Sequence, residues 1–455
     1  MAKIVDNVIL DDDNDEFNYA LNLVENTRDL IYLTGKAGAG KTTFLKYIKL
    51  STTKKTVVLA PTGVAALNAG GQTIHSFFKI PPSLYIPDDS RLKTKPDLLN
   101  ENYSTIYDYF KYKKGHKKLI LGMELLIIDE ISMVRCDLLD VIDRILRVFR
   151  EKEDLPFGGV QVVLIGDAFQ LPPIVQNDQW DILKEYYSTP FFFSALALQE
   201  TKPKYIELKK IYRQQDLKFI NLLNNIRTNQ LSQQDLELLN SRFLPSVFKN
   251  DNINYVTIAT HNRIVDQTNL RKLEELETEL KVYKAEITGE FPDMMKPTDE
   301  SLTLKEGSQV MFIKNDTDKK YFNGKIAKIK KLLDNKILVE LPDGKEIEVK
   351  KFTWSNIKFT WNLKENIIEE EIAGSFTQYP LKLAWAVTVH KCQGLTFENV
   401  IADLSGAFTA GQVYVALSRC TSLEGLVLKS KINRNVIKTD ANVIKFSENE
   451  TFYKS

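Results

Sequence analysis

The sequence predicts an α/β protein built on parallel sheets, and three apolar runs carry that prediction. They are Leu30-Ile31-Tyr32-Leu33, Leu125-Leu126-Ile127-Ile128 and Val160-Gln161-Val162-Val163-Leu164-Ile165. Strands covered by helices on both faces read as continuous apolar runs rather than alternating ones. Ligands of such sheets bind beyond the carboxyl ends of the strands. The residues that follow each run are therefore the candidates for chemistry.

The first run leads into Gly35-Lys36-Ala37-Gly38-Ala39-Gly40-Lys41-Thr42 and then a helix-like Thr43-Phe44-Leu45-Lys46-Tyr47-Ile48. This is the P-loop pattern G-x-x-x-x-G-K-[ST] in its strand–loop–helix setting. The glycines let the backbone curl so that its N–H groups, those of Ala37 and Ala39 included, point at phosphates. The helix N-terminus adds partial positive charge. Lys41 is placed to reach the β- and γ-phosphates and Thr42 to ligate Mg²⁺, with Thr43 beside it. The chain therefore binds a nucleoside triphosphate.

The second run ends in Asp129-Glu130, the Walker B arrangement. Asp129 would hold Mg²⁺, and Glu130 would polarise the attacking water. The third run ends in Gly166-Asp167 and continues as Ala168-Phe169-Gln170-Leu171-Pro172-Pro173. Gln170 suits a γ-phosphate sensor, because an amide donates to phosphate and accepts from water; it equally suits a loop residue capping backbone groups. Arg213 and Arg419 are candidates for transition-state charge stabilisation. Taken singly, each reads as a surface ion pair.

Composition narrows the class. Hydrophobic content of 43% and charged content of 27% fit a soluble globular chain. No segment approaches the ~18 apolar residues of a membrane helix, and the acidic stretch from Asp11 to Glu16 is no signal peptide. Cys136, Cys392 and Cys420 are far apart, lack metal-ligand spacing and suit a reducing cytosol. The net charge of +1, from 61 basic and 60 acidic residues, does not announce a nucleic-acid binder. A groove needs only local positive charge. The clusters Lys111–Lys118 and Lys202–Arg213 offer it, although each alone reads as a solvated face. No further carboxylate or histidine cluster supports a nuclease.

In this order the segments resemble the Pif-one (petite-integration-frequency) family of DNA helicases, superfamily 1 group B, with RecD-type helicases next. The resemblance runs from about Phe17 to Gly425. It rests on Ala60-Pro61-Thr62-Gly63-Val64-Ala65-Ala66 with Thr73-Ile74-His75-Ser76-Phe77-Phe78, on Asp129-Glu130-Ile131-Ser132-Met133, and on Gly166 through Pro173. Further on it rests on Thr388-Val389-His390-Lys391-Cys392-Gln393-Gly394-Leu395-Thr396 and Tyr414-Val415-Ala416-Leu417-Ser418-Arg419. The stretch Tyr212 to Arg227 looks like the family signature. Its period reads as an amphipathic helix with Leu217, Ile220, Leu223 and Leu231 on the apolar stripe. That leaves Arg213 as its chemical residue.

The resemblance implies two RecA-like domains with parallel sheets: 1–76 with 114–190, and 191–305 with 376–455. A wedge subdomain would span 77–113, where Pro81, Pro82, Pro87 and Pro96 interrupt a tyrosine-rich stretch. An SH3-like subdomain would span 306–375. There the residues themselves read as a small β-barrel, with short strand-like runs parted by Asn323-Gly324 and Pro342-Asp343-Gly344.

The resemblance also implies the activity. It is that of an ATP-dependent 5′-to-3′ helicase using ATP and Mg²⁺, acting as a monomer in the cytoplasm of a bacterial or phage-like source. Its partners would be single-stranded DNA and tailed or forked duplexes, with G-quadruplex DNA in the family's repertoire. Arg213 and Arg419 become arginine fingers from the second domain. Asn18 falls where the family carries an adenine-reading Gln, one methylene longer. A sequence-blind grip needs phosphate contacts from loop ends. Thr62, Thr73, His75 and Ser76 would donate them from the first domain, with Gly63 permitting close approach and Pro61 in the same DNA-binding stretch, and Thr388, His390 and Lys391 would do so from the second. The alternative of another class is an ATP-switched loader or clamp that holds DNA without unwinding it.

Overall fold

The computed structural model describes residues 4–5, 8–9, 14–96, 104–214, 216–249, 255–316, 318 and 320–449. The three apolar runs form the centre of a six-stranded sheet. Its order is Gln72–Thr73, Thr56–Ala60, Leu125–Ile128, Gln161–Ile165, Ile31–Gly35 and Lys204–Leu208, and every neighbouring pair is parallel. The strands Ile31–Gly35, Leu125–Ile128 and Gln161–Ile165 are buried along their whole length, as apolar runs between helix layers should be. Helices Asp15–Asn26, Lys41–Ser51 and Cys136–Phe149 cover the sheet, the last burying Leu139, Ile142, Ile145 and Leu146.

The strand Lys204–Leu208 pairs with Ile31–Gly35 and lies beyond the boundary expected at 190. It lies at the edge of the sheet, with Lys204 exposed and Tyr205, Ile206 and Leu208 buried. A second parallel sheet runs Ala386–Thr388, Val256–Ala259, Val400–Asp403 and Leu426–Leu428. Two parallel sheets thus face a common cleft, and one apolar cluster continues from the first to the second.

The insertion between Val256–Ala259 and Ala386–Thr388 begins before 306. Leu280–Lys284 already pairs with Ser301–Lys305. Its core is a five-stranded antiparallel sheet in the order Glu346–Val349, Ile337–Glu340, Ile326–Leu332, Gln309–Phe312 and Leu381–Leu383. The runs expected as strands are all present, but the described sheet is open at both outer strands where a closed barrel was expected. A long hairpin, Phe352–Asn362 with Ile367–Gln378, leaves this sheet and reaches the first domain. There the Trp361 indole fills the space over Gly122, where a Cβ would come within 2.0 Å of it. Lys49 pairs with Glu370 at 2.7 Å, and the Phe359 N–H donates to Gln72 Oε1 at 3.4 Å.

Candidate functional site

The P-loop leaves the strand Ile31–Gly35 and ends at Gly40, which caps the helix Lys41–Ser51 in a left-handed conformation with no side-chain partner. The first N–H groups of that helix are therefore open toward an anion. Gly38 also has positive φ, and a Cβ there would lie 2.5 Å from the Cβ of Arg213. The second-domain arginine segment packs directly on the loop. The Tyr212 N–H donates to the Gly38 carbonyl at 2.9 Å. Lys41 Nζ donates to the carbonyls of Gly35 at 2.5 Å and Lys36 at 3.2 Å. Burial lowers the Lys41 pKa, opposed by Asp167 and Glu130. Triphosphate oxygens would give that ammonium stronger acceptors than the loop carbonyls it now holds.

Asp129 and Glu130 follow the strand Leu125–Ile128, and Glu130 sits at φ 51°, strained for a residue with a side chain. Burial and the neighbouring Glu130 push Asp129 up to about 7. Burial also raises Glu130, against Lys41, Arg419 and a hydrogen bond from Gln393. A buried carboxylate with a raised pKa is one that a hard cation would relieve, and Asp129 with the Thr42 hydroxyl offers the oxygen donors that Mg²⁺ takes. Bound there, the ion would neutralise phosphate charge.

Gln170 is buried, and its N–H donates to the Asp167 carbonyl at 2.9 Å. Gln393 meets it from the second domain: its Nε2 donates to Glu130 Oε2 at 2.9 Å and to Gln170 Oε1 at 3.3 Å. Sequence reasoning gave Gln393 no role. The available signal was its place two residues after Lys391, in a run already singled out for DNA contact.

Both arginine candidates reach the cleft, and both are bound to their own side of it. Arg213 Nη1 donates to the Ser418 carbonyl at 3.2 Å and Nη2 to the Gly394 carbonyl at 3.5 Å. Burial and the nearby Arg419 bring Arg213 down to about 9. Arg419 is 2% exposed, with Nε on the Val415 carbonyl and Nη2 on Ser418 Oγ, each at 2.9 Å. The signature helix is Leu217–Arg227, and it differs from the expected stripe. Leu217 is 72% exposed at its first turn, and the buried face is Phe219, Leu222, Leu223, Ile226 and Arg227. Arg227, read from sequence as part of an ordinary helix, pairs with buried Asp167 at 3.0 Å.

Asn18 lies half-buried on the helix Asp15–Asn26, where its N–H donates to the Asn14 carbonyl. Asn14 is the amide that faces the second domain, with Nδ2 donating to the Tyr212 hydroxyl at 3.2 Å.

The residues expected to hold DNA gather at strand ends. Pro61, Thr62 and Gly63 follow Thr56–Ala60, and Thr73, His75 and Ser76 end or follow Gln72–Thr73. Thr388 ends Ala386–Thr388, with His390 and Lys391 just beyond it. Their hydroxyls already serve local turns. Thr62 Oγ1 accepts from the Ala65 N–H, Thr73 Oγ1 from the Ser76 N–H, and Thr388 Oγ1 from the Lys391 N–H. His75 Nδ1 lies 2.8 Å from the Ile80 carbonyl, and burial lowers the His390 pKa. Gly63 is covered by the insertion, since a Cβ there would sit 2.6 Å from the Met294 carbonyl.

Two strand-end clusters, a P-loop and a glutamine bridge between them define the candidate site, and the chain as a whole is similar to known proteins. The PIF1-like helicase family model matches residues 10–237. The chain belongs to the PIF1-like helicase family. It is an ATP-hydrolysing helicase. A curated relative, the ATP-dependent DNA helicase Pif1 of Campylobacter jejuni, is 31% identical over 93% of this chain and 95% of its own. The eukaryotic relatives are longer, and the chain spans 66% of one and 57% of another.

The crystal structure of Bacteroides sp Pif1 in complex with ADP-AlF4 is 43% identical, with a TM-score of 0.87 over 95% of this chain and 96% of that one. Bacteroides Pif1 bound to ssDNA has the same identity and coverage and a TM-score of 0.65. The domain arrangement here is therefore nearer the first of these two.

Proposed function

We propose that this PIF1-like helicase translocates 5′-to-3′ on single-stranded DNA and separates tailed or forked duplexes. The observation that carries the reading is the Gln393 bridge. Gln393 holds Glu130 and Gln170 at the hydrolysis site, and Thr388, His390 and Lys391 stand at the DNA end of the same short segment. A strand bound to that segment changes where Gln393 sits, and with it the geometry around the attacking water.

ATP would bind between the P-loop and the two arginines, with Mg²⁺ at Thr42 and Asp129. Asn18, next to the Asn14–Tyr212 contact, would lie at the base end. Glu130 accepts the proton of the attacking water, Gln170 orients it, and Arg213 and Arg419 meet the developing phosphoryl charge. Thr62, Thr73, His75 and Ser76 would grip phosphates on one domain, with Pro61 and the covered Gly63 beside them, and Thr388, His390 and Lys391 on the other. Closing and opening of the cleft then moves the two grips alternately along the strand. The segment 77–113 would act as the wedge, and the open sheet with its hairpin would lie over the DNA as an SH3-like subdomain. The working unit is a monomer in the cytoplasm, with G-quadruplexes among its substrates. Among the described residues no helix is long and apolar enough to cross a membrane.

The test is strand separation of duplexes with a 5′ or a 3′ single-stranded tail. Unwinding of the 5′-tailed substrate alone is expected. ATP hydrolysis on DNA without strand separation of either substrate would instead identify a loader or clamp, and preference for the 3′ tail would reverse the polarity.

A further inference from the structure

Beyond the residues that face the phosphates, a second buried network joins the cleft walls. Asp167 is fully buried and accepts three donors. Arg227 Nη2 reaches its Oδ1 at 3.0 Å, the Phe169 N–H reaches the same oxygen at 3.2 Å, and the Tyr414 hydroxyl reaches Oδ2 at 3.4 Å. The Arg227 guanidinium also lies 4.1 Å from the Phe169 ring centroid and 3.6 Å from Glu207. A buried ion pair tolerates few unmet lone pairs, and the tyrosine hydroxyl meets one on Asp167, while Arg227 Nε has no partner among the described residues.

The same hydroxyl accepts the N–H of Ala37 at 3.1 Å, so this P-loop N–H, expected to point at phosphate, is turned to the second domain instead. Burial raises the Tyr414 phenol, and Arg227 and Lys41 hold Asp167 below its ordinary range against the effect of burial. Tyr414 therefore keeps its proton for Asp167 and gives a lone pair to Ala37. One oxygen atom ties the P-loop to the strand end that carries Gln170.

Tyr414 stands on the helix Gln412–Leu417. That helix begins at Gly411, where a Cβ would be 2.4 Å from the Gln170 carbonyl, and it is followed by Arg419. A single short element thus meets the Gln170 loop, the P-loop and, at its far end, the arginine site.

We propose that Tyr414 is a positioning residue for ATP hydrolysis: through Asp167 and Ala37 it fixes the helix that presents Arg419 to the P-loop. This rests on the reading of Arg419 as a charge-stabilising residue. Tyr414 itself does not touch the reacting atoms. When the P-loop adjusts to a triphosphate, the Ala37 peptide moves the hydroxyl, and the helix carries Arg419 with it.

The test is a double-mutant cycle in the full-length protein with saturating single-stranded DNA. Tyr414→Phe keeps the ring and removes one oxygen. Its expected effect is about a tenfold loss of kcat, with the KM for ATP within twofold and single-strand binding unchanged. In an Arg419→Ala background the same change should cost less than twofold, because its route to the chemistry is already gone. A role in packing alone would lower the melting temperature and leave kcat in place. A tenfold loss that persists in the Arg419→Ala background, or Tyr414→Phe turnover within twofold of the unmutated protein, overturns the proposal. Unmutated turnover in Arg419→Ala alone would instead remove Arg419 from the site, and Tyr414 with it.

Discussion

On the first-domain wall of the cleft, Lys41, Asp129, Glu130 and Gln170 each follow closely on a strand of one sheet. Ile31–Gly35, Leu125–Ile128 and Gln161–Ile165 are wholly buried, so their ends are fixed by the core beneath them. On the facing wall, Arg213 and Arg419 lie in the cleft but spend their donors on second-domain groups: the carbonyls of Ser418, Gly394 and Val415 and the Ser418 hydroxyl. One wall is built in place by folding. The other has to be brought to the phosphates, and Gln393, Tyr414, Tyr212 and Arg227 are among the residues whose contacts already span the gap. In a motor this division is useful, because chemistry that needs both walls is tied to their relative movement.

The strongest way to break the comparison is at the built wall. Lys41→Ala should abolish measurable hydrolysis while single-strand binding, read by fluorescence anisotropy, stays near that of the unmutated protein. Loss of both together would mean the loop is chiefly structural. At the delivered wall, Arg213→Ala and Arg419→Ala should each bind a fluorescent ATP analogue normally and lose at least ~10²-fold in turnover. Equal losses in binding and turnover would mean these arginines hold the ground state as well.

A smaller effect separates the two halves by pH. His116 packs against Phe77 and Tyr112, and its buried Nε2 has no hydrogen-bond partner among the described residues. Burial, then the charge of Lys79, lowers it from 6.5 to about 4. Between those values the unfolded chain takes a proton that the folded chain refuses. Stability therefore falls as pH drops through this window, by up to about 3 kcal/mol, and this contribution is flat below it. His116→Phe should flatten the urea midpoint against pH between 6.5 and 4, and an unchanged slope would assign the loss to other groups.

The smallest effect concerns the hairpin that joins the insertion to the first domain. Trp361→Ala should cost about 1–2 kcal/mol, less than a fully buried indole, and should expose the hairpin to protease before the P-loop domain. Simultaneous cleavage of both would mean that the cleft contacts, rather than the hairpin, hold the halves together.

How much of this was legible in the sequence follows the same division. The built wall was, because each of its residues sits within a few positions of an apolar run or a glycine pattern. The delivered wall was legible as candidate arginines but not as contacts. Asp167 pairs with Arg227 and Tyr414 across wide sequence separation, and no local period encodes such a pair. The signature helix shows the limit of periodicity. Its pattern put Leu217 on the apolar stripe, but the helix begins there and leaves that side chain in solvent, while a charged Arg227 is buried. The strand Lys204–Leu208 escaped because its apolar residues are few and are interrupted by Glu207, unlike the continuous runs beside it. In the insertion the strand-like runs and turns were correct, but the order of the open sheet depends on Leu381–Leu383 returning beside Gln309–Phe312.

The rate of ATP hydrolysis, measured with and without a saturating oligonucleotide of single-stranded DNA, tests the central claim most directly. If one wall must be delivered, the strand should raise kcat by tenfold or more (about 1.4 kcal/mol off the barrier) and change the KM for ATP much less. A kcat that is the same with and without DNA would contradict it, because the cleft would then be complete without movement.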